Sequence, residues 1–339
     1  MCLVLLNKFL TLNKILLIQT ASIGDVILVT PTIENIHQVY PLAQIDILIK
    51  KGNEALFENH PFITNVITWD KTNNKYINLV KIITRIRKNK YDAVVTFQRF
   101  LTTGLITVFS GANIKIGFNK NPLSFLFNKK CKHTQNNIHE INRNLELISL
   151  ITNHKKGNIK LYPSEKDFEQ VKIYKTEHYI CIAPASLWYT KQFPINKWAE
   201  FIKSINSNVK IYFIGSKSDF NICKKIIEIS NYKNYEILCG KISLLECAAL
   251  MKNAKMNFVN DSAPLHIASA MNAPVTVIYC STIPDFGFGP LSEKSFIIQT
   301  KEKLNCRPCG IHGRKKCPKK HFKCALSISI NEIKKIIEK

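Results

Sequence analysis

Acidic residues are scarce in this sequence of 339 residues, which contains 24 Asp and Glu against 48 Lys and Arg. The formal net charge is therefore +24. An excess of this size indicates a polyanionic partner, and nucleic acid, an anionic membrane face and a phosphorylated substrate all satisfy it. A compositional bias of the source would produce part of the same excess. The few carboxylates are also dispersed, so no cluster of them predicts a site for a divalent cation.

Long apolar runs are absent from the sequence as well. No stretch of eighteen apolar residues occurs, so we predict no segment that spans a membrane. Residues 1–13 are apolar in places, but Asn7, Lys8 and Asn13 interrupt them, and no convincing small-residue cleavage site follows. We interpret this stretch as a short leader to the first strand rather than as a signal peptide.

Cysteine, by contrast, is not scarce, and the eleven cysteines are scattered along the chain. Five of them lie inside apolar runs, and we expect these to be small core residues: Cys181, Cys223, Cys239, Cys247 and Cys280. Free thiols in a core are typical of a reducing compartment. Only the four cysteines after residue 300 form a cluster.

The length and composition permit two ordinary domains, because 339 residues with 46% hydrophobic content can supply two cores. Continuously apolar segments, such as residues 14–19 and 179–183, predict strands buried on both faces of a parallel sheet. Helical patterns alternate with such strands in both halves, which predicts two doubly wound α/β domains. We place the boundary in the polar stretch 153–157, which gives domains of residues 1–157 and 158–339.

The most informative stretch is residues 260–269, which lies between two apolar runs. It predicts the end of a strand, a turn and a helix, with Asp261 or Ser262 as the helix cap and Pro264 in the first turn. Free amide groups at such a helix start bind anions, and His266 lies one helical turn further on. Taken alone, the stretch fits a capped structural helix with a satisfied histidine better than it fits a binding site.

Two further residues follow the ends of predicted strands. Asp25 lies at the mouth of the first helix, where a carboxylate is either a favourable helix-start charge or a general base for an acceptor hydroxyl. Lys191 lies in the loop after strand 179–183, where a lysine is usually a solvated charge but could instead neutralise a departing diphosphate. A base, a cation and an anion site are together what a group transfer needs.

The order and spacing of these segments resemble the signatures of the family nine glycosyltransferases, the heptosyltransferases of lipopolysaccharide inner-core synthesis. The segments that carry the resemblance are Ser22-Ile23-Gly24-Asp25-Val26, Ser186 with Lys191-Gln192-Phe193-Pro194, and Asp261-Ser262-Ala263-Pro264-Leu265-His266. The resemblance extends over nearly the whole chain, because similar family segments also match His139-Glu140, Arg143-Asn144 and Phe286-Gly287-Phe288-Gly289-Pro290. Three ordered motifs are much more specific than any one of them.

The resemblance implies a GT-B fold, in which two Rossmann-like domains face each other across a cleft. The first domain would bind the acceptor and the second the nucleotide sugar. The implied reaction is an inverting, metal-independent transfer from ADP-heptose that requires no cofactor. Asp25 would be the catalytic base, and Lys191 would be the catalytic cation at the diphosphate. The implied donor-binding residues are Ser186, Ile242, Asp261, Ser262, Ala263, Pro264 and His266.

Two positions depart from the pattern of the family. Ala263 stands where the family commonly has Gly, and Phe193 stands where Trp is more usual. A Cβ atom at residue 263 would limit how closely the backbone approaches a phosphate. These departures concern the choice of donor more than the class of reaction.

The excess of positive charge has a use in this reaction. The implied partners are an ADP-activated sugar and an anionic lipid A and core acceptor, with no nucleic acid, so the chain would be cytoplasmic and peripheral to the inner membrane. Residues 71–90 contain no acid but seven bases: Lys71, Lys75, Lys81, Arg85, Arg87, Lys88 and Lys90. We interpret this run either as a contact to the acceptor or membrane or as a solvated helix face.

The cysteine cluster has the spacing C-x2-C-x7-C-x6-C, with two histidines inside it. Its members are Cys306, Cys309, His312, Cys317, His321 and Cys324. These side chains suit tetrahedral zinc, although the second pair of cysteines is not C-x-x-C, so the four cysteines are a candidate structural zinc site. Segments of similar pattern occur near the end of many family nine members, which favours a structural over a catalytic role.

Two other functions are open at this stage. A relative with the same mechanism could transfer another nucleotide-activated sugar to a surface glycan, because sugar choice depends on a few side chains. A protein of a different class, a non-catalytic nucleotide- or nucleic-acid-binding protein with a zinc knuckle, would account for the basic residues around the cysteine cluster. The second alternative leaves Asp25 and Lys191 without a role.

Overall fold

The computed structural model of the protein describes residues 11–134, 137–153, 157–175 and 178–337. Most of the predicted leader lies outside these ranges. The described residues form two compact units, which divide between Asn158 and Ile159, except that residues 55–59 and 137–140 belong to the second unit. Within the described ranges, no helix is long and apolar enough to cross a membrane.

The first unit is built on one parallel sheet. Its elements are β1 (Lys14–Gln19), α1 (Ile23–Ile27), α2 (Thr30–Val39), β2 (Gln44–Lys50), β3 (Ile63–Trp69), α3 (Lys75–Lys88), β4 (Ala93–Thr96), α4 (Leu101–Phe109), β5 (Ile114–Phe118), β6 (Lys129–Cys131) and α5 (Glu140–Thr152). The strand order is β3-β2-β1-β4-β5-β6, so the direction of winding reverses between β1 and β4. This order is that of a Rossmann fold.

The core of the first unit explains why its strands have continuously apolar sequences. Leu16 and Ile18 of β1 are fully buried and belong to one cluster with Trp69 of β3. The helix α3 covers this cluster with Leu79, Ile82 and Ile86, which recur at helical spacing. A strand buried on both faces has no polar side to alternate with, and the sequence pattern follows from that.

The second unit repeats the same topology. Its elements are α6 (Glu165–Gln170), β7 (Tyr179–Ala183), α7 (Ile195–Lys203), β8 (Lys210–Phe213), α8 (Phe220–Ser230), β9 (Tyr235–Ile237), α9 (Leu244–Lys252), β10 (Met256–Asn260), α10 (Ala263–Ala270), β11 (Val275–Tyr279), β12 (Ser295–Gln299), α11 (Lys323–Leu326) and α12 (Ile330–Ile337). The strand order is β12-β11-β10-β7-β8-β9, with all pairs parallel. The two sheets confirm the predicted α/β class.

The core of the second unit includes the end of the cysteine cluster. Phe322 and Cys324 are buried in the same cluster as Trp198 of α7 and Phe258 of β10. The amphipathic helix α12 closes this core with Ile333 and neighbouring isoleucines at helical spacing. The segment that contains the cysteines is therefore anchored in the core at its carboxyl end.

The structure differs from the sequence prediction in two places, the first helix and Cys247. The predicted first helix is two helices, because Pro31 lies at the start of α2 and cannot continue the hydrogen bonding of α1. The helix α4 lies between β4 and β5 as the alternation of strands and helices predicts, and its threonine hydroxyls donate to carbonyls one turn earlier. Cys247 is half-buried, whereas the other four predicted core cysteines are buried.

Candidate active site

The candidate site of the second unit lies at the carboxyl ends of β7 and β10, where the strand order of the sheet reverses. The two strands are paired so that Val259 of β10 stands opposite Ala183 of β7. Ser186 follows β7, and Asp261 comes directly after β10. Open α/β sheets bind their ligands at such a reversal, so the fold brings predicted donor residues to the expected place.

Asn260, the last residue of β10, joins the two loops at this edge. Its Nδ2 donates to the carbonyl oxygen of Pro184 at 2.7 Å, and its Oδ1 accepts from the amide of Phe193 at 3.0 Å. The side chain is fully buried, where an unpaired amide group would be costly. Asn260 therefore fixes the start and the end of the loop that contains Lys191.

Lys191 and Asp261 form a buried ion pair. Lys191 Nζ lies 2.7 Å from Asp261 Oδ2, and the two side chains are only 15% and 7% exposed. The same oxygen accepts a hydrogen bond from Thr282 Oγ1 at 2.6 Å. A buried pair of charges is tolerated only when further hydrogen bonds complete it, and Thr282 supplies one here. Asp261 thus faces the ammonium group of Lys191, and this contact sets the position of the lysine.

The start of α10 differs from the prediction. Ser262 occupies the position before the helix with an extended backbone, but its side chain makes no cap hydrogen bond. Its hydroxyl lies near the carbonyl of Asn260, and the carboxylate of Asp261 is engaged by Lys191. The predicted cap by Asp261 or Ser262 is therefore wrong. Ala263 and Pro264 form the first turn as expected, and its amide groups have no side-chain cap.

His266 is a neutral side chain at physiological pH. Burial, together with the nearby charges of His139 and Lys191, lowers its pKa from 6.5 to about 3. Its Nδ1 has no hydrogen-bond partner among the described residues. A neutral imidazole contributes no positive charge to an anion site, but it can donate one hydrogen bond.

Ser186 and Ile242 are the remaining predicted donor residues. The carbonyl of Ser186 accepts a hydrogen bond from Gln192 Nε2 at 2.6 Å, which ties the loop after β7 to the 3-10 turn Tyr189–Lys191. Ile242 is half-buried and lies in the connection between β9 and α9. The donor-binding roles of both residues stay predictions.

In the first unit, Asp25 lies in the short helix α1 at the carboxyl end of β1. Ser22 donates its hydroxyl hydrogen bond to Asp25 Oδ2 at 2.5 Å, and it makes no cap hydrogen bond to the backbone. Asp25 is half-buried, so its carboxylate is partly accessible. This geometry suits a base oriented by one hydrogen bond, as general-base catalysis requires.

Three side chains that belong to none of the sequence motifs make hydrogen bonds to the loop before Asp25. Gln98 Oε1 accepts from both the amide and the hydroxyl of Thr20, at 3.2 and 2.6 Å. Lys71 Nζ donates to the carbonyl and the hydroxyl of Thr20, both at 2.8 Å. Asn53 Nδ2 donates to the carbonyl of Ala21. These contacts keep the start of α1 in a fixed place.

Lys71 is the one member of the basic run 71–90 whose side chain meets this loop in the structure described. Its ammonium group also lies 4.7 Å from the centre of the Trp69 ring. Burial, together with the charges of Lys50 and Lys75, lowers its pKa from 10.5 to about 8. Lys71 is therefore charged at neutral pH and contacts the loop before the candidate base.

Two distant segments that match the family pattern meet in the second unit. His139 Nε2 lies 3.1 Å from the carbonyl oxygen of Gly289, and the amide of Glu140 donates to the carbonyl of Gly287 at 2.8 Å. His139 is also one of the charges that lower the pKa of His266. The segment around His139 therefore lies near His266, one of the predicted donor residues, although it comes early in the chain. We call the carboxyl ends of β7 and β10, with the loops that follow them, the donor edge.

The four clustered cysteines line a single cavity of about 230 Å³, together with His321. Cys306 Sγ lies 3.8 Å from His321 Nε2. Burial and the neighbouring thiols raise the pKa of Cys324 to about 11. Among residues 11–134, 137–153, 157–175 and 178–337, however, no group of three or more His, Cys, Asp or Glu is arranged to hold a metal ion. The four thiols thus line one cavity, but in the described structure they do not have the arrangement of a metal site.

The sequence motifs did not indicate the residues that hold the candidate catalytic and donor-binding side chains in place. Asn260, Thr282, Gln98 and Lys71 all act through contacts with residues far away in the chain. The only local signal is position, because Asn260 and Gln98 are polar residues at or just after the end of a buried strand. Polar residues at such places are frequently part of a ligand-binding edge.

Comparison with known proteins identifies the family. The model of glycosyltransferase family 9 (heptosyltransferase) matches residues 79–321. Lipopolysaccharide heptosyltransferase 1 of Campylobacter coli is 26% identical over 313 residues, which are 86% of this chain and 90% of that protein. Lipopolysaccharide heptosyltransferase 3 of Escherichia coli is 23% identical over 277 residues, 76% of this chain and 81% of that protein.

Solved structures show the same fold. The glycosyltransferase family 9 protein of Veillonella parvula superimposes with a TM-score of 0.85 at 20% identity and covers 97% of both chains. The ADP-heptose lipopolysaccharide heptosyltransferase II of E. coli has a TM-score of 0.76 at 19% identity and covers 96% of this chain and 97% of its own. The protein is therefore a glycosyltransferase with a GT-B fold. It belongs to glycosyltransferase family 9, the heptosyltransferase family, so the predicted family is confirmed.

The buried His266 predicts a pH-dependent stability. The unfolded chain binds a proton at this residue near pH 6.5, whereas the native protein binds it only near pH 3. Between these values the unfolded state holds more protons, so the free energy of unfolding falls as the pH falls. In His266→Gln, we expect urea unfolding measured from pH 3 to 6.5 to show a weaker pH dependence, by up to about one proton.

The exposed His178 provides the control for this measurement. His178→Gln should keep the pH dependence of the unmodified protein. Equal pH dependence in His266→Gln and the unmodified protein would show that His266 is not held neutral by burial.

Proposed function

We propose that the protein transfers a heptose from ADP-heptose to a lipopolysaccharide inner-core acceptor, with inversion at the anomeric carbon and without a metal ion. The observation that supports this most is the buried pair of Lys191 and Asp261 beside the uncapped start of α10, at the strand reversal of a family 9 chain. A cation and the positive end of a helix at one edge are the features that bind a diphosphate.

The leaving group is the ADP diphosphate, and Lys191 is the residue that stabilises it. The ammonium group carries hydrogens that Asp261 does not use, and these can donate to phosphate oxygens. Its positive charge and the amide groups of α10 offset the charge that develops as the sugar–phosphate bond breaks. Asp261 does not bind the phosphate in this proposal, because its carboxylate positions Lys191.

The nucleophile is a hydroxyl of the acceptor, and Asp25 is the base. As the acceptor oxygen forms its bond to the anomeric carbon, Asp25 takes the hydroxyl proton and ADP departs from the opposite face of the sugar. The hydrogen bond from Ser22 orients the carboxylate of Asp25. The positive charge of Lys71, which is hydrogen-bonded to Thr20 in the loop before Asp25, suits an anionic acceptor in the first unit.

A panel of ADP- and UDP-sugars tests the substrate class. We expect ADP-heptose, and no other sugar of the panel, to raise the unfolding temperature clearly. It should also be consumed in the presence of a deacylated lipid A and core acceptor. The anomeric configuration of the product should be opposite to that of the donor. Transfer should persist in EDTA, because the ammonium group of Lys191 takes the place of a metal ion at the diphosphate. Transfer only from a UDP-sugar would show that Ala263 marks a different donor, and strict dependence on Mg²⁺ or Mn²⁺ would contradict the mechanism.

Replacement of the proposed base is the second test. Asp25→Asn keeps the shape and the contact to Ser22 but cannot accept the proton, so we expect transfer to fall by about 10² to 10⁴ with near-normal ADP affinity. If Asp25 is only a helix-start charge, the same variant loses thermal stability while transfer per folded molecule stays unchanged. Measurement of both quantities on one variant separates base from structural charge.

The candidate zinc site is a separate hypothesis. Four thiols around one cavity have the chemistry of a soft-metal site, but no group of three ligands in the described ranges has the arrangement for one. We derive no step of the transfer through a metal. The zinc content of the protein used in the donor panel tests the hypothesis, and a chain with neither zinc nor disulfides at these cysteines would refute it.

We also infer peripheral binding to an anionic membrane, through the outer face of α3. Tyr76, Ile77 and Val80 are exposed there by 73%, 57% and 62%, although they are apolar or aromatic. The basic residues of the run 71–90 surround them, and α3 has no acidic residue. Apolar residues among Lys and Arg suit an interface with anionic lipids better than they suit water.

Vesicle co-sedimentation tests this inference. In Ile77→Glu/Val80→Glu, we expect binding to vesicles with 30% anionic lipid to fall at least about tenfold. Each substitution removes an apolar contact and adds a negative charge that the anionic surface repels. Leu42→Glu is the control, since Leu42 is exposed by 96% but precedes the amino end of β2, whereas α3 begins after the carboxyl end of the parallel strand β3. Equal loss in both variants, or none in the double variant, would contradict the assigned face.

A further inference from the structure

The segment of residues 304–324, which we call the Cys-rich segment, is hydrogen-bonded to the turn that contains Lys191. The amide of Thr190 donates to the carbonyl of Arg314 at 3.1 Å, and the amide of Arg314 donates to Thr190 Oγ1 at 2.8 Å. Thr190 is almost fully buried, and its hydroxyl oxygen lies 3.0 Å from Ser281 Oγ. Thr190 therefore joins the Cys-rich segment to the residue next to the lysine.

Gly313 packs directly on the side chain of Lys191. A Cβ atom placed on Gly313 would lie 2.8 Å from Lys191 Cγ and 3.1 Å from Lys191 Cδ. Such distances are shorter than carbon atoms tolerate, so the glycine backbone lies in van der Waals contact with the aliphatic stem of the lysine. The Cys-rich segment thus forms a wall against the lysine stem, whose ammonium group pairs with Asp261.

The wall is itself fixed to the residues that hold Asp261. The Arg307 guanidinium donates to the carbonyls of Cys280 and Thr282, at 2.8 and 2.7 Å, and the amide of Cys309 donates to the carbonyl of Ser281 at 2.8 Å. Thr282 is the residue whose hydroxyl donates to Asp261. One turn after β11 therefore anchors both the carboxylate and the wall that faces the lysine stem.

We propose that the Cys-rich segment is a positioning element for Lys191, with Gly313 and the backbone of Arg314 as the contacts that set the direction of the lysine side chain. The segment acts through the lysine, and in this proposal none of its atoms takes part in the reaction. The cavity lined by the four cysteines also has Thr190 and Arg314 in its wall, so a change at the thiols would be transmitted to the same turn. The proposal rests on the proposed function only for its kinetic readout.

Two glycines of the same segment give a matched pair of variants. Gly313 and Gly310 both have left-handed backbones, with φ of +77° and +88°. Alanine at either position therefore carries a similar backbone cost. A Cβ atom on Gly310, however, meets nothing within 4 Å, whereas one on Gly313 meets Lys191. The difference between Gly313→Ala and Gly310→Ala therefore reports the contacts of residue 313 with Lys191 and with Thr190 Oγ1, which lies 3.2 Å from the same Cβ position.

The first readout is the chemical reactivity of Lys191, which needs no substrate. We expect N-acetylation by an N-hydroxysuccinimide ester, followed by peptide mass spectrometry, to label Lys191 at least about threefold faster in Gly313→Ala than in Gly310→Ala, because a displaced stem moves the ammonium group out of its buried pair. Thr190→Val, which removes the hydroxyl that holds Arg314, should also raise the labelling rate. Thermal unfolding of each variant establishes that the compared proteins are folded.

The second readout is transfer from ADP-heptose. We expect kcat/KM to fall about tenfold or more in Gly313→Ala and to stay within about twofold in Gly310→Ala, since small misplacements of a catalytic group are costly. Equal Lys191 labelling in the two glycine variants, or an equal loss of transfer in both, would overturn the positioning role. Absence of transfer in the unmodified protein would refute the proposed function instead, and the labelling comparison would still decide the positioning.

Discussion

The buried ion pair between Lys191 and Asp261 is the interaction on which the rest of the donor edge depends. Two charges away from water are stable only when their geometry is fixed and their other hydrogen bonds are made. Asn260 fixes the loop after β7, and Thr282 completes the hydrogen bonding of Asp261. The strand reversal between β7 and β10 brings these parts together, so the parallel topology of the sheet is what makes the pair possible.

The same pair suggests a different role for Asp261 from the donor binding that the motifs imply. Asp261 and Lys191 both belong to family signatures, but a carboxylate beside a diphosphate would repel it. Its contact with the ammonium group gives Asp261 an indirect role, because it keeps the charge of Lys191 directed at the donor edge. His266 adds a neutral donor there, since burial and neighbouring cations keep it unprotonated. The positive charge at this edge is therefore concentrated on one lysine and on the amides of α10.

Much of the fold, and the positions of the proposed base and cation, could be read from the sequence. Buried parallel strands such as β1 and β7 have no polar face, so their position is visible as apolar runs, and Asp25 and Lys191 are marked by their place after such runs. The supporting contacts could not be predicted, because they join residues far apart in the chain. Thr190 with Arg314 and His139 with Gly289 are examples. The predicted helix cap is an error of the same origin. Asp261 cannot cap α10 because it pairs with Lys191, which is distant in sequence, and the side chain of Ser262 makes no cap hydrogen bond.

A double-mutant cycle tests the central claim, that Asp261 acts through Lys191, most directly. The cycle compares kcat/KM for transfer from ADP-heptose in the unmodified protein, Lys191→Ala, Asp261→Asn and the double variant. If Asp261 serves only to position the lysine, Asp261→Asn lowers transfer in the native background but changes it by less than about twofold once Lys191 is alanine. Losses that multiply independently in the double variant would show that Asp261 has a role of its own at the donor, and would contradict the account.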